Sequence, residues 1–555
     1  MAENETITGR EFIARALAEA GIDTVFTVAG GHFLPTYHEL GRLGTVDVVA
    51  ARHEQGAGYM ASGYALATGR PGVVFSGAPG PGATNLVTAV ANANADSIPL
   101  LVLSAQVDRR YVHRNILQYC DNVDLFAPFC KRSVQAVTPE ELPNLLATGL
   151  QLALSGRPAP VHIAIPQNFQ AERARPPRRV AACPVRPGAP SKAQVDAVAE
   201  LIDRSERPAI LAGHGVLRAG GSAALAALAD RLGAPVATSR SGIGSIGSDH
   251  AASVGMLGFY GTGTARDAVA EADLVLVIGC ALGEQTTFGW RPTLFGDGAK
   301  IIQVDVDASQ VNRIYPVDAG VVADAGTFIE ALTPALQQKS AWFGRRPAPC
   351  PPQNDASRGI SAAEVMQSLN RHADPESIFS ADIGNHRLWV CDQLEITRPE
   401  RLLQSCEFDA MGFSLPAAIG ALTTRKDGPK AIAISGDGGF VHTMGELAVA
   451  KELGLPLVSV VFVDGALGIL RHQAEEMYGE DHYVRLEPID FKAVAEAFGV
   501  PARTVSEVAG LDDALAWAMA TEGPVMLSVT IDPAEVFPPL RTKIEQRKRD
   551  LLGQQ

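Results

Sequence analysis

Short apolar runs rich in valine and isoleucine recur along this chain, each flanked by turn residues and separated from the next by a longer helical pattern. A helical stretch at 10–20 precedes the runs Thr24–Val28, Gly72–Ser76 and 99–104. Then come Pro208–Ala212, 235–238, Leu274–Ile278 and 300–306, and finally 431–435 and Leu457–Val463. Runs of this kind fit strands buried on both faces, and their alternation with helices fits parallel sheets covered by helices on each side. The 555 residues exceed what one core can organise, since single cores stop growing near ~250–300 residues. Two proline-rich stretches, 172–191 and 344–359, read as domain boundaries. They divide the chain into blocks at 1–171, 192–343 and 360–540, followed by a charged tail at 541–555 that reads as a solvated helix or a lid. The predicted fold class is α/β, as three consecutive doubly wound parallel-sheet domains. Ligands of such sheets sit beyond the carboxyl ends of the strands.

Composition excludes several classes of function. The formal charge of −14 argues against a nucleic-acid partner, which needs a clustered Lys/Arg face. No apolar run approaches the ~20 residues of a membrane span. The seven cysteines are scattered, with no C-x-x-C pair, which suits reduced thiols rather than a disulfide framework or a zinc site. With a polar, acidic start to the chain, the expected address is the cytoplasm.

The third block carries the most informative segment. The run at 431–435 leads straight into Gly436-Asp437-Gly438-Gly439-Phe440, ahead of a helical pattern at 446–453. The run Leu457–Val463 ends at Asp464-Gly465-Ala466-Leu467-Gly468. Asp437 and Asp464 therefore close two strands expected to be neighbours. Two oxygen ligands there can hold Mg²⁺ against phosphate oxygens, with glycines letting the backbone approach the anion. Two unrelated turns are the plain alternative, since Gly-Asp-Gly is a common loop string. In the first block, Arg52-His53-Glu54-Gln55-Gly56-Ala57 follows a strand at 46–49 and opens a small-residue helix at 58–67. A carboxylate at such a place is, at its simplest, matched to the helix dipole.

Taken together, these segments resemble the thiamine-diphosphate enzymes, and in particular the acetolactate synthases. The resemblance runs from Gly9 to about Pro533 and rests on motifs in the family's order: Arg-x-Glu at Arg52–Glu54, Gly-Pro-Gly-Ala-Thr-Asn at 80–85 with Asp96-Ser97-Ile98-Pro99 after it, Met411-Gly412-Phe413, and the Gly-Asp-Gly segment. It implies thiamine diphosphate and Mg²⁺ as cofactors. Glu54 would exchange a proton with N1′ of the aminopyrimidine and so activate the cofactor, aided by burial in an apolar pocket. Met411 would wedge between the two cofactor rings. Asp437, Asp464 and the Ala466 carbonyl would hold the metal. Asn385 and His386, where the family has Gln-His, would meet the diphosphate, with Gly31, Gly436, Gly438, Gly439, Leu467 and Gly468 completing the cofactor contacts. Asp464 departs from the family's usual Asn and adds a negative charge beside the diphosphate.

The resemblance also bears on the substrate. Gln118 matches an active-site Gln of acetolactate synthases and of benzaldehyde lyase. His32 stands where benzaldehyde lyase and cyclohexane-1,2-dione hydrolase carry His, and could shuttle a proton to the first adduct. Where acetolactate synthases show Arg-Phe-Asp-Asp-Arg, this chain has Ala281-Leu282-Gly283-Glu284-Gln285, and Gln473 stands for their acceptor-pocket Trp. The missing arginine argues against FAD or another nucleotide in the middle domain; Gly213-x-Gly215 and Met256-Leu257-Gly258 read equally well as strand-to-helix turns. The expected function is decarboxylation of a pyruvate-like 2-oxo acid and transfer of the acyl unit to an aldehyde or ketone. The alternative is a non-decarboxylating acyloin or 1,2-diketone lyase or hydrolase, supported by His32. Outside the enzymes, a non-catalytic regulatory relative is the rival. Family geometry further implies a homodimer or homotetramer, with Glu54 and Asp437 meeting only between subunits.

Overall fold

The computed structural model describes residues 6–175 and 188–552. Each block opens on a helix whose first turn is closed by a reciprocal cap, Thr8 with Glu11, Ser191 with Gln194 and Ser361 with Glu364. Each block then builds a six-stranded, wholly parallel sheet. The first has the order Asp47–Ala50, Thr24–Val28, Gly72–Ser76, Leu100–Gln106, Val161–Pro166, Arg132–Gln135. The second runs Ser253–Met256, Val236–Thr238, Pro208–Ala212, Leu274–Ile278, Lys300–Asp305, Ala319–Val322. The third runs Leu402–Gln404, Ile378–Ala381, Ala431–Gly436, Leu457–Val463, Val525–Thr530, Ala502–Val505. The runs that read as strands are strands, because central strands of such sheets bury both faces and so carry unbroken apolar sequence. The strands holding Asp437 and Asp464 are indeed neighbours, paired in register from Ala431–Leu457 to Gly436–Phe462.

Four details differ from expectation. Of the stretch 172–191, residues 176–187 lie outside the described residues; Arg173–Ala174 is no linker but a short strand, antiparallel to Ile7–Thr8. The stretch 344–359 has no regular structure, yet it is fastened to the third block, where Cys350 N donates to Asp392 and Gln353 N to Glu535. The charged tail belongs to a longer helix, Pro538–Leu552, with Ile544 buried and Lys543 over the rings of Phe259 and Tyr260. Finally, the helical pattern at 446–453 resolves into a helix at Asp437–Thr443, a 3₁₀ turn at Met444–Glu446 and a helix at Leu447–Glu452.

The first and third blocks share one apolar cluster, in which Met60, Val74 and Leu86 join Phe413, Ile419 and Leu457. Its seam is the crossing of the helices Glu54–Thr68 and Ser414–Leu422, both composed largely of small residues. A Cβ on Gly63 would stand 2.0 Å from the Ala417 carbonyl oxygen, and one on Gly420 would stand 1.9 Å from that of Met60. Only hydrogen fits at either position. Among the described residues no helix is long and apolar enough to cross a membrane, and the six cysteines there are unpaired.

Candidate active site

The carboxyl ends of the first and third sheets carry every residue singled out above as catalytic, cofactor-binding or metal-ligating. In the first block, Gly31 and His32 follow the strand Thr24–Val28, and Glu54 follows Asp47–Ala50. The loop at 77–82 follows Gly72–Ser76, and Gln118 lies on the loop after Leu100–Gln106. Gly30 lies directly against Gly77, and the backbone of Gln118 lies against Gly80, so these loops form one rim. Gln118 is exposed and holds a left-handed backbone (φ +62°). His32 is half-buried, and burial pushes its imidazole below the ordinary value, toward the neutral form.

Glu54 is the first residue of its helix, whose N-cap is His53. Within the single chain Glu54 is half-buried, and its Oε2 accepts a hydrogen bond from Asn85 Nδ2, on the Gly80–Ala95 helix, at 3.0 Å.

In the third block the two acids meet. Asp437 is 4% exposed; its Oδ2 accepts from Gly465 N at 2.9 Å and its Oδ1 from Gly438 N at 2.7 Å. Asp464 Oδ1 accepts from Ala466 N at 3.1 Å. Burial, and then the charge of Asp437, push the Asp464 carboxyl up to about 7, and burial raises Asp437 as well. Two crowded carboxylates, with the charge of Arg471 only a lesser influence on Asp464, fit a bound divalent cation, which would relieve the repulsion. Among the described residues no cluster of three or more His, Cys, Asp or Glu side chains could hold a metal, so a third ligand would come from the backbone, as the Ala466 carbonyl could provide. Beside this pair, His386 is 4% exposed and held neutral, its imidazole pushed down to about 3 by burial. Its Nε2 and the Oδ1 of Asn385 are buried with no protein partner. Orphaned polar atoms of this kind are rare and call for a ligand or water.

Above Gly438 the side chains of Leu467, Leu486 and Met411 converge. The Met411 loop is fixed from several sides. Asp382 Oδ2 accepts from Gly412 N at 2.8 Å, and Asp409, itself left-handed at φ +55°, is paired with Arg387 (2.9 Å) and with Arg240 of the middle block (3.2 Å). Asp96 of the first block accepts from Cys406 N and Glu407 N. The Met411 carbonyl accepts from Gln55 Nε2 at 3.2 Å, and Glu446, at the end of the Asp437 helix and its 3₁₀ turn, accepts from the backbone ahead of Glu54. The Glu54 helix and the Met411–Asp437 side thus touch within one chain. The small-residue helix crossing joins the first block to the third inside the chain; the meeting of Glu54 with Asp437 expected between subunits is a separate contact and belongs to the functional reading below.

Glu446, Asp382, Asn85, Arg387 and Arg240 were not assigned site roles from the sequence. For Glu446, a Glu at the start of a helical pattern also reads as dipole matching. Asn85 closes the Gly-Pro-Gly-Ala-Thr-Asn motif, yet its partner Glu54, like the partners of Asp382, Arg387 and Arg240, is distant in the chain.

A second concavity, of about 820 Å³, lies at the carboxyl end of the middle sheet and is lined by His214, Arg218, Ala281, Gly283, Asp305 and Glu407, among others. The Ala281–Gln285 segment therefore does form the wall of a cavity large enough for a cofactor.

Three family descriptions match the chain in order. They are the thiamine pyrophosphate enzyme N-terminal TPP-binding domain at residues 7–125, the central domain at 195–332 and the C-terminal TPP-binding domain at 382–529. The chain is 34% identical to a probable acetolactate synthase large subunit of Methanocaldococcus jannaschii, over 96% of this chain and 93% of that protein. It is 32% identical to the acetolactate synthase isozyme 1 large subunit of Escherichia coli K12, over 96% and 95%. To the acetolactate synthase large subunit of Corynebacterium glutamicum it is 31% identical, over 96% and 88%.

Proposed function

Since the chain belongs to the thiamine pyrophosphate enzymes and is similar along nearly its whole length to acetolactate synthase large subunits, we propose that it is a thiamine-diphosphate-dependent carboligase. It would decarboxylate a pyruvate-like 2-oxo acid and join the acyl unit to a second carbonyl. The observation that carries the reading is the crowded Asp437–Asp464 pair at the ends of neighbouring strands, with the partnerless His386 Nε2 and Asn385 Oδ1 beside it. When bound, thiamine diphosphate supplies a nucleophilic thiazolium carbon and an electron sink.

The chain's own residues supply the rest. Asp437, Asp464 and the Ala466 carbonyl would hold Mg²⁺, and the orphaned His386 Nε2 and Asn385 Oδ1, one a ring nitrogen and the other an amide oxygen, lie at the expected diphosphate end. Asn385 Nδ2 donates to the Glu535 carbonyl at 3.3 Å, so turning this donor toward the diphosphate would exchange that bond for the new one. Glu54 would hold or release a proton at the aminopyrimidine nitrogen, with Asn85 donating to its carboxylate. His32, neutral through burial, can accept a proton on the substrate side, and Gln118 on the same rim can orient a carbonyl oxygen. The Ala281–Gln285 segment lacks the family's arginine, so FAD stays outside the proposed cofactor set, although Arg70, Arg157, Arg218 and Arg313 line the middle cavity elsewhere. A homodimer or homotetramer and a cytoplasmic address complete the reading.

Purified protein given thiamine diphosphate, Mg²⁺ and pyruvate should release CO₂ and form acetolactate or a mixed acyloin. A Glu54→Gln variant should bind the cofactor but lose at least ~100-fold in turnover, the scale of general acid–base catalysis. Bound cofactor without CO₂ release would move the reading to an acyloin or diketone lyase built around His32. Unchanged turnover in Glu54→Gln would remove Glu54 from the mechanism.

A further inference from the structure

A helix and a 3₁₀ turn, Asp437–Thr443 and Met444–Glu446, make one continuous unit with a proposed metal ligand at its start and a carboxyl at its end. Glu446 is 1% exposed. Its hydrogen bonds cross from the third block to the first: Arg52 N donates to both carboxylate oxygens at 3.1 Å, and His53 N donates to Oε1 at 3.1 Å. These are the two residues immediately before Glu54. The first turn of the Glu54 helix is shaped around this carboxyl, since a Cβ on Gly56 would stand 2.2 Å from Oε1. The charged end of Arg52 points elsewhere, to the Ala50 carbonyl and to Glu452. The carboxyl of Glu446 is therefore held by backbone amides and not by an ion pair. Two amides donating three bonds to one rigid carboxylate fix the position and direction of the peptide that carries Glu54.

We infer that Glu446 is a positioning residue for Glu54: through the 437–446 unit it holds the backbone ahead of Glu54 in register with the Asp437 end of the site. The inference rests on the thiamine-diphosphate reading proposed above. Glu446 itself touches neither substrate nor cofactor in this role. Its effect is that Glu54 is correctly placed only when the third block is seated on the first. Oε1 accepts from both amides and Oε2 from Arg52 N as well; an amide side chain keeps one such oxygen but sets an N–H₂ donor against Arg52 N in place of Oε2.

The test compares wild type with Glu446→Gln by three measurements. These are amide hydrogen exchange of the peptide spanning 47–57 without cofactor, thiamine diphosphate affinity by calorimetry, and exchange of the C2 proton of bound cofactor with D₂O. In Glu446→Gln an N–H₂ faces the Arg52 amide in place of Oε2, and the Arg52 and His53 amides should exchange about tenfold faster as that donor–donor clash loosens their shared acceptor. Cofactor affinity should stay within about threefold, while C2 exchange falls about 10- to 100-fold, the scale of a misplaced catalytic group. Glu446→Asp should recover part of the C2 rate. Wild-type C2 exchange in Glu446→Gln overturns the inference, as does a fall in affinity that accounts for the whole loss. If Glu446→Gln does not fold, Gly56→Ala displaces the same carboxyl with its charge intact and is read by the same criteria. A wild-type protein that binds no thiamine diphosphate sinks the functional reading instead, while the amide exchange still reports whether Glu446 holds residues 52 and 53.

Discussion

Glu446 and Asp464 have carboxyls pushed up to about 7, and in both the first cause is burial. For Glu446 the groups facing it are the Arg52 and His53 amides, with the Arg52 guanidinium a weaker influence that Glu452 shares. The folded value lies above the ordinary 4.5, so between roughly pH 4.5 and 7 the folded chain holds a proton that the unfolded chain has lost. The stability tied to that proton is present below the unfolded value and is lost as pH rises through the folded one. Denaturant unfolding at pH 5 and pH 8.5 should show this: Glu446→Gln, which does not titrate, should lose less stability than wild type on going to the higher pH. An equal loss in both would mean that Glu446 ionises as freely in the folded chain as in the unfolded one. At Asp464 the second cause of the shift is the charge of Asp437, so Asp464→Asn should remove a repulsion. Without metal the variant should melt above wild type, and Mg²⁺ with cofactor should raise its melting temperature by a smaller increment. A larger increment would show that the second carboxylate weakens the metal site. The sequence made Asp437, Asp464 and Glu54 legible because each closes an apolar run with glycine or a helix start beside it. Glu446, Asp382 and Arg240 were not, because their partners lie in distant segments and no local spacing encodes them.

At the scale of elements, the strands were the readable part. Gly72–Ser76, Leu274–Ile278 and Leu457–Val463 stand where their apolar runs placed them, since a strand covered on both faces has no polar face to blur its ends. The short helices after Gly436 were harder: glycines, a 3₁₀ turn and only seven residues in the first helix leave no amphipathic period to detect. The helix crossing at Gly63 and Gly420 explains why a run of small residues opens the Glu54 helix and recurs at 414–422. Gly63→Val would drive side-chain carbons into the Ala417 backbone and should cost at least ~3 kcal/mol or prevent folding. Gly41, in the helix Leu34–Leu43, has nothing within 4 Å of where a Cβ would stand, and Gly41→Ala should be neutral or stabilise by up to ~1 kcal/mol. Urea midpoints of the two variants check the contrast, and a Gly63→Val protein as stable as wild type would show that the crossing is loose.

For the whole molecule, three sheets of one design divide the labour unequally: the outer two carry the site, and the middle one reaches it through Arg240, which holds Asp409 two residues before Met411. The family's order of domains was legible because the motifs follow in sequence; the contact of the first block with the third within one chain was not, since helix crossings have no signature in either helix alone. Leu34, Leu117, Phe408 and Leu470 are exposed on the blocks that carry the site, where the subunit contacts of the proposed assembly would lie. Sedimentation at micromolar concentration should therefore find a dimer or tetramer of the 58.4 kDa chain, and a single-chain species would refute the proposed assembly. The two-residue strands Ile7–Thr8 and Arg173–Ala174, with Gly9 N bonded to the Glu172 carbonyl, buckle the beginning of the first block to its end. A block that leaves where it enters is a closed cassette: it can be lifted out of one chain order and set into another, or cut open at a distant loop and rejoined at the buckle, without redrawing the path of any strand inside it.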